Sequence, residues 1–473
     1  METDSHDEEF HSRTRRLIDE VAVSSSTDSS IIDEKWSKFS VYLSIDPAWV
    51  DTHAGQLMLL STLNMVARFC NRVFLQASLS TVERIVGFPF CSQSNLIDSC
   101  QEITWLVNPH VSVHATDVQP TESVALSVGG KSDISISSDG WFAYLNWNSS
   151  RIEPANDFNP FGALIASSFG SAEVFRKLIG QIGAKGAIAQ RTLEDIRFSV
   201  LDYSCNSPMP FNPPFPDSVN IGRVLFAGCG AVSNGAMTAL YEISNLAGTF
   251  GLVDDESVSH SNVGRYLMTS LQDVGNPKAS VLQERFRGKS VSIEPFNLPI
   301  ETLPTESIDG YDIVFSGLDN RNNNQARFVL QNSLPYRIIH AATQGLAVSI
   351  ANIRFNDGIC LGCLFSPRPG TVSLVPDSVC GGVVLKTEQQ EIAASVSFIS
   401  AASGILAASE LVKVSVPELR AFALDNYLSL SMMSPDLADA HHRRKDEYCL
   451  CLCSEEIRLE AYRDKHVNKK EKN

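Results

Sequence analysis

The chain has 473 residues, 44% of them hydrophobic, and a net charge of −16 at neutral pH. That length exceeds one ordinary core and predicts two or three domains, while the negative charge argues against non-specific nucleic-acid binding. No run reaches the ~18 apolar residues that cross a membrane, and the polar opening residues do not read as a secretory leader, so no membrane partner and a cytoplasmic location are expected.

In chain order, residues 1–33 are charged and Ser-rich and predict a flexible arm. Leu57–Cys70 is apolar on nearly every face, as a buried helix would be, and Arg72–Ala77 reads as a strand. No Gly-x-Gly precedes that helix, so this is what remains of a βαβ unit without its phosphate turn. Trp141–Trp147 is a further strand candidate. Asn159–Ile179 is a helix dense in Ala, Ser and Gly, and Ser397–Val412 is similar. Each ends in a glutamate followed by apolar residues and a cation: Glu173 with Arg176 and Lys177, Glu410 with Lys413. We read these as a faint internal repeat, which would make 34–206 a degenerate copy of the domain that follows; two buried helices of like composition are the bland alternative. Ser207–Pro216 holds five prolines and reads as a linker, because proline fits neither a helix interior nor a central strand.

The stretch from Gly222 to Asn332 carries the chemistry. Arg223–Ala227 predicts a buried parallel strand. It runs into Gly228-Cys229-Gly230, a turn that brings backbone N–H groups close to a phosphate. A helix from about Ser233 to Asn245 and a strand, Phe250–Val253, follow. Asp254 ends that strand, where a doubly wound fold places the carboxylate that holds a ribose. Asn262, Arg265 and Lys278 come next, in polar contexts, and Asp319 follows the apolar strand Ile313–Phe315. Two cations and a carboxylate around a Gly-rich turn suit a triphosphate with magnesium better than a nicotinamide. Taken singly, Arg265 and Lys278 could equally be solvated charges.

Beyond Asp319 a helix is expected over Asn323–Ser333, a strand over Arg337–Ala342 and an alternating hairpin strand over 347–358. Cys360 and Cys363 form a CxxC, and Cys449, Cys451 and Cys453 a second cluster. Together they could close a four-cysteine zinc site; a disulfide or a reactive thiol pair are the alternatives. Cys380 stands alone before a helix expected over Glu388–Val414, and a lone cysteine is usually a buried small hydrophobe. Leu419–Met433 reads as a late strand pair, His441–Lys445 as a solvated basic patch, and residues 455–473 as a tail whose end frays.

Four elements in order resemble the ThiF/MoeB and ubiquitin-activating-enzyme family: Asp254, then Ser261-Asn262-Val263-Gly264-Arg265, then Gly275-Asn276-Pro277-Lys278, then Asp319-Asn320. The resemblance covers about Pro214 to Ser454. It implies an α/β fold: a Rossmann-like doubly wound adenylation domain with a zinc knuckle over 217–454, preceded by a degenerate adenylation-like α/β domain over 34–206 that binds no ATP. By resemblance, Gly228 and Gly230 form the nucleotide turn and Asp254 holds the ATP ribose. Asn262, Arg265 and Lys278 hold the phosphates, and Asp319 holds magnesium. The zinc ligands implied are Cys360, Cys363, Cys451 and Cys453, with Cys449 a close rival because the second knuckle is CxCxC rather than CxxC. Three positions depart from the family pattern: Glu256 is the second acid, Tyr266 follows the arginine in place of glutamine, and Asn324 stands where an arginine is expected.

Family members place a cysteine like Cys380 ahead of a small-residue helix, where several branches use it to accept an acyl group or sulfur. A helix N-terminus would lower its pKa. The resemblance therefore implies ATP-dependent activation of a ubiquitin-like protein: adenylation of its C-terminal glycine, thioester formation on Cys380, and transfer to a conjugating enzyme. The alternatives are adenylation of a sulfur-carrier protein for thiocarboxylate formation, and a non-catalytic scaffold that keeps the fold. Pairing of two chains is left open. Cys229 reads as a tolerated small residue in the turn.

Overall fold

A computed structural model of the chain describes residues 10–12, 14–19, 29–147, 152–154, 158–183, 195–318, 325–354, 359–364, 384–387, 390–393, 395–446, 449 and 456–468. Short strands of branched and aromatic residues, separated by apolar helices, build two mixed sheets. The first comprises β1 (Ser40–Ile45), β2 (Arg72–Leu75), β3 (Ser112–Ala115), β4 (Ser123–Val128), β5 (Ile134–Asp139), β6 (Phe142–Leu145) and β7 (Ile196–Ser199), in the order β3-β2-β1-β4-β5-β6-β7. The second comprises β8 (Val219–Ala227), β9 (Leu246–Val253), β10 (Ser292–Phe296), β11 (Ile313–Ser316), β12 (Arg337–Gln344), β13 (Ala347–Arg354), β16 (Tyr427–Ser431) and β17 (Ser434–His441). Its order is β10-β9-β8-β11-β12-β13-β16-β17. In both, the first five positions run parallel and the remainder antiparallel. Counted from its own first strand, each sheet has the order 3-2-1-4-5-6-7, and the second adds β17 as an eighth strand at its edge. The fold is thus a Rossmann-like α/β domain preceded by a second α/β domain of the same topology.

The helices obey the same correspondence. Of α1 (His53–Val66), α2 (Pro160–Ile182), α3 (Ala231–Tyr241), α4 (Lys278–Arg285) and α5 (Ser397–Ser415), α2 enters between the sixth and seventh strands of its sheet and α5 does likewise. Each carries a buried ion pair one turn apart, Glu173 with Arg176 and Glu410 with Lys413. Glu410 also accepts from Tyr203 Oη, from Asn352 and from the Leu424 amide, so this buried charge is fully engaged. Phe175 of α2 packs on Phe398 of α5, ring centroids 5.6 Å apart, with Phe69 edge-on to both. The two domains therefore share one continuous core. Helix α5 is apolar and long enough to cross a membrane, yet it is entirely buried in the protein.

Several expectations change. The predicted arm is not loose where it is described: residues 10–12 and 14–19 are helical, with Phe10, Leu17 and Ile18 buried. Its apolar residues, outnumbered in composition, fall on one packed face. The Pro-rich linker is likewise packed, with Asn212 bonded to the Trp141 amide and Phe215 against Trp141. The first part of the expected helix 388–414 is instead a strand: β15 (Gln390–Ala393) pairs with β14 (Val384–Thr387) in a ribbon, and α5 begins only at Ser397. The expected strand pair over 419–433 is a 3₁₀ helix, Pro417–Phe422, and the single strand β16, whose partner β17 lies beyond it. The tail docks through its helix Glu456–Arg463, with Tyr462 buried and Lys465 paired with Asp309.

Candidate active site

Strand order reverses at β8, where β9 lies on one side and β11 on the other. In open α/β sheets the crevice beyond the strand ends at such a point binds ligands. Gly228 follows β8 with φ +85°, a left-handed conformation that side chains disfavour. Its N–H bonds Val253 O, closing the turn against β9. Gly230 caps α3, the helix the turn feeds. A Cβ on Gly317, just after β11, would lie 2.8 Å from Ser233 Oγ, so the two loops meet closely. Cys229 is fully buried, and burial drives its thiol pKa well up; this fits a packing residue rather than a nucleophile.

Asp254 closes on this turn. One carboxylate oxygen accepts from Cys229 N at 2.7 Å and the other from Glu256 N at 2.9 Å. Burial raises its pKa, against the opposing pull of Lys278 and the two amides. Lys278, the first residue of α4, is 5% exposed. Its ammonium bonds Glu256 and lies 3.9 Å from Asp254 Oδ1. Burial opposes that charge, but Tyr266, Asp254 and Glu256 outweigh it and the pKa rises.

Asn262 and Arg265 sit on the loop between β9 and α4. Asn262 is 7% exposed and completes a capping box with Ser259 around the short helix His260–Val263. Arg265 is 8% exposed, and its Nε has no hydrogen-bond partner among the described residues. Its guanidinium lies 5.2 Å from the Tyr266 ring centroid, and the Lys278 ammonium lies 5.6 Å from the same ring. Tyr266 is thus a shared floor beneath both cations, and its Oη approaches Gly230. Buried cations, one with an orphaned donor, facing a Gly turn form a donor set that fits a polyphosphate. Asp319, Asn320 and Asn324 lie outside the described residues, as does Cys380.

The sequence marked Tyr266 and Glu256 only as departures from a pattern. It gave no sign that Asn234 of α3 ties the site together. Asn234 donates to Cys229 O and Gly230 O and accepts from Met268 N, joining the turn to the Arg265 loop. An amide side chain on a buried helix, one turn after the glycine turn, is the signal that could have found it.

In the first domain the same place is built differently. Gln76 follows β2 as Asp254 follows β9, and accepts from Ile45 N. After β1 the chain reads Asp46-Pro47-Ala48-Trp49, without glycine. The Trp49 indole is buried and so close to Gly129 that a Cβ there would stand 2.1 Å from Trp49 Cδ1.

A separate cluster lies behind the second sheet. Cys360, Cys363 and Cys449 place their sulfurs within 4.8 Å of one another, all buried. Cys360 Sγ is 3.8 Å from Cys363 Sγ and 3.4 Å from Cys449 Sγ. Cys449, the rival ligand, is therefore in the cluster; Cys451 and Cys453 lie outside the described residues. Three sulfurs this close together could hold a metal.

Comparison with known proteins agrees with this geometry. Residues 210–451 match the ThiF family, and residues 40–193 match the BilD N-terminal domain. An uncharacterised protein, y4jF, of Sinorhizobium fredii is 27% identical over 403 residues, 70% of this chain and 74% of its own length. The SAMP-activating enzyme E1 of Haloferax volcanii is 31% identical over 173 residues, 34% of this chain and 60% of that protein. The sulfur carrier protein adenylyltransferase of Thermus thermophilus is 26% identical over 179 residues, 36% of this chain and 65% of that protein. With the family match spanning half of its length and the turn, acid and cations of the second sheet in one crevice, this chain belongs to the ThiF family.

Proposed function

We propose that the protein is an adenylating enzyme that activates the C-terminal glycine of a small ubiquitin-like or sulfur-carrier protein with ATP. The observation that carries this reading is the convergence of Asp254, Arg265 and Lys278 on the Gly228–Gly230 turn. Asp254 would hold the ribose. The turn amides, Asn262, Arg265 and Lys278 would hold the phosphates and take up charge as pyrophosphate leaves. Magnesium, if held at Asp319, would neutralise phosphate charge. The carboxylate oxygen of the small protein would bond to the α-phosphorus as the bond to pyrophosphate breaks.

We assign Cys380 the second step. Its thiolate would attack the acyl carbon, forming a thioester and releasing AMP. This assignment draws on the position of Cys380 between the CxxC and the small-residue helix. The names of the relatives divide between an E1 and a sulfur-carrier adenylyltransferase, so the thiocarboxylate route is the second reading. We also assign Cys360, Cys363 and Cys449, with one further cysteine of the CxCxC run, to a structural zinc ion that anchors the C-terminal segment.

The test is intact-mass analysis of the full chain after incubation with Mg-ATP and extract of its own source, without reductant. A thiol-labile adduct of small-protein mass that disappears in Cys380→Ala supports ubiquitin-like activation. AMP formation without an adduct supports the thiocarboxylate route. Neither, with no Mg-ATP binding by calorimetry, overturns the adenylation reading.

A further inference from the structure

The loop that presents Arg265 is not held by its own domain alone. Arg68, just past the C-terminal end of α1 in the first domain, is 1% exposed. Its guanidinium donates to Val263 O, and to Thr269 O at 3.3 Å. The other donors bind Asn64 O at 2.9 Å and Asn64 Oδ1 at 2.7 Å. Asn64 in turn donates to Leu267 O at 3.1 Å. Three carbonyls of one loop, on both sides of Arg265, thus end on two side chains of the other domain.

The chemistry is specific. Among the described residues Arg68 meets only carbonyl and amide oxygens, with no carboxylate. A buried guanidinium without a counter-ion is costly, and its planar fork is what lets one side chain span two carbonyls. Ser397 Oγ bonds Met65 O, and Phe69 packs between Phe175 and Phe398, so the end of α1 is itself fixed. From the loop, Met268 N continues to Asn234 and so to Cys229 and Gly230. At the related contact in the opposite sense, the end of α3 presents Tyr241 to Gly87.

We propose that Arg68, oriented by Asn64, is a positioning residue supplied by the first domain, which holds residues 263–269 so that Arg265 and the glycine turn are pre-arranged for the triphosphate; this rests on the nucleotide reading above. Without the clamp the loop must be ordered when ATP binds, and that cost appears as lost affinity.

The test compares wild type, Arg68→Met and Asn64→Leu as full chains. Mg-ATP affinity is measured by calorimetry and amide exchange by mass spectrometry. The expected result is about tenfold weaker binding in Arg68→Met, the equivalent of losing about one hydrogen bond to a charged group. Exchange should quicken in 262–269 while β1, β2 and β4 stay protected. Should Arg68→Met not fold, Asn64→Leu carries the same comparison, since it removes the Leu267 contact and the support of Arg68. Unchanged affinity in a folded variant overturns the inference. So does weaker binding with protection lost equally throughout, which would mark a merely structural role. If wild type itself does not bind Mg-ATP, the nucleotide reading falls instead.

Discussion

The Lys278 ammonium lies 3.9 Å from the Asp254 carboxylate, and both side chains are at least nine-tenths buried. A buried cation that already serves a carboxylate is poised to be shared with a phosphate. Lys278→Ala should weaken Mg-ATP binding by roughly 10- to 150-fold, a loss of about 1.5–3 kcal/mol for one charged hydrogen bond. It should also lower the melting temperature, because Asp254 is left buried without its cation. Calorimetry and a thermal melt of the same sample would check both; unchanged affinity would remove Lys278 from the site.

Burial raises the Asp254 pKa. An acid shifted this way favours the native state when protonated, so it costs stability above its native pKa and that cost disappears as pH falls through it. Ribose recognition needs the carboxylate. Mg-ATP affinity should therefore decline on acidification, beginning above the pH at which an exposed aspartate protonates. Asp254→Asn should weaken binding at neutral pH and flatten that decline. A wild-type pH profile that does not differ from the variant's would refute this.

The cysteine cluster should bind zinc when reduced. Elemental analysis of protein purified under reductant should give about one zinc per chain, as a closed cysteine site would. Cys449→Ser should lose the metal and loosen the tail helix Glu456–Arg463. Retention of full zinc in that variant would return the site to Cys451 and Cys453.

Helices α3 and α5 cross at glycine contacts. A Cβ on Gly404 would stand 2.0 Å from Val232 O, and one on Gly235 would stand 2.8 Å from Ala401 O. Gly404→Ala should destabilise by roughly 1–3 kcal/mol or more, as overpacking does. Because α3 carries the glycine turn, ATP affinity should fall as well. Denaturant unfolding beside an ATP titration measures both.

Glu410 is buried with Lys413, Tyr203, Asn352 and the Leu424 amide around it. Glu410→Ala leaves the fully buried Lys413 uncompensated and should cost about 3–5 kcal/mol. Glu410→Gln, which keeps the hydrogen-bonding shape, should cost less. Equal losses would mean that charge is not what matters there.

Much of this was legible in the residues. The spacing from Gly228 to Lys278 is local chemistry, since a turn, a strand end and a helix start each demand particular residue types wherever the chain goes. The repeat was visible for a similar reason: α2 and α5 each need small residues for close packing and a cation one turn beyond a glutamate. Boundaries were less legible. The strand Gln390–Ala393 was absorbed into a helix because its apolar pattern is too short to separate the two periods.

By itself the sequence determined the two-domain α/β plan, the nucleotide turn and the acids and cations that accompany it, because these follow from periodicity and spacing along the chain. Only the tertiary structure decided who holds them. Asn234 joins the turn to the Arg265 loop, Arg68 reaches that loop from 195 residues away, and Cys449 meets the CxxC. Such partners are set by which buried donor lies opposite which unpaired carbonyl or thiol once the two domains have packed. That opposition is a property of the assembled core, and no local pattern records it.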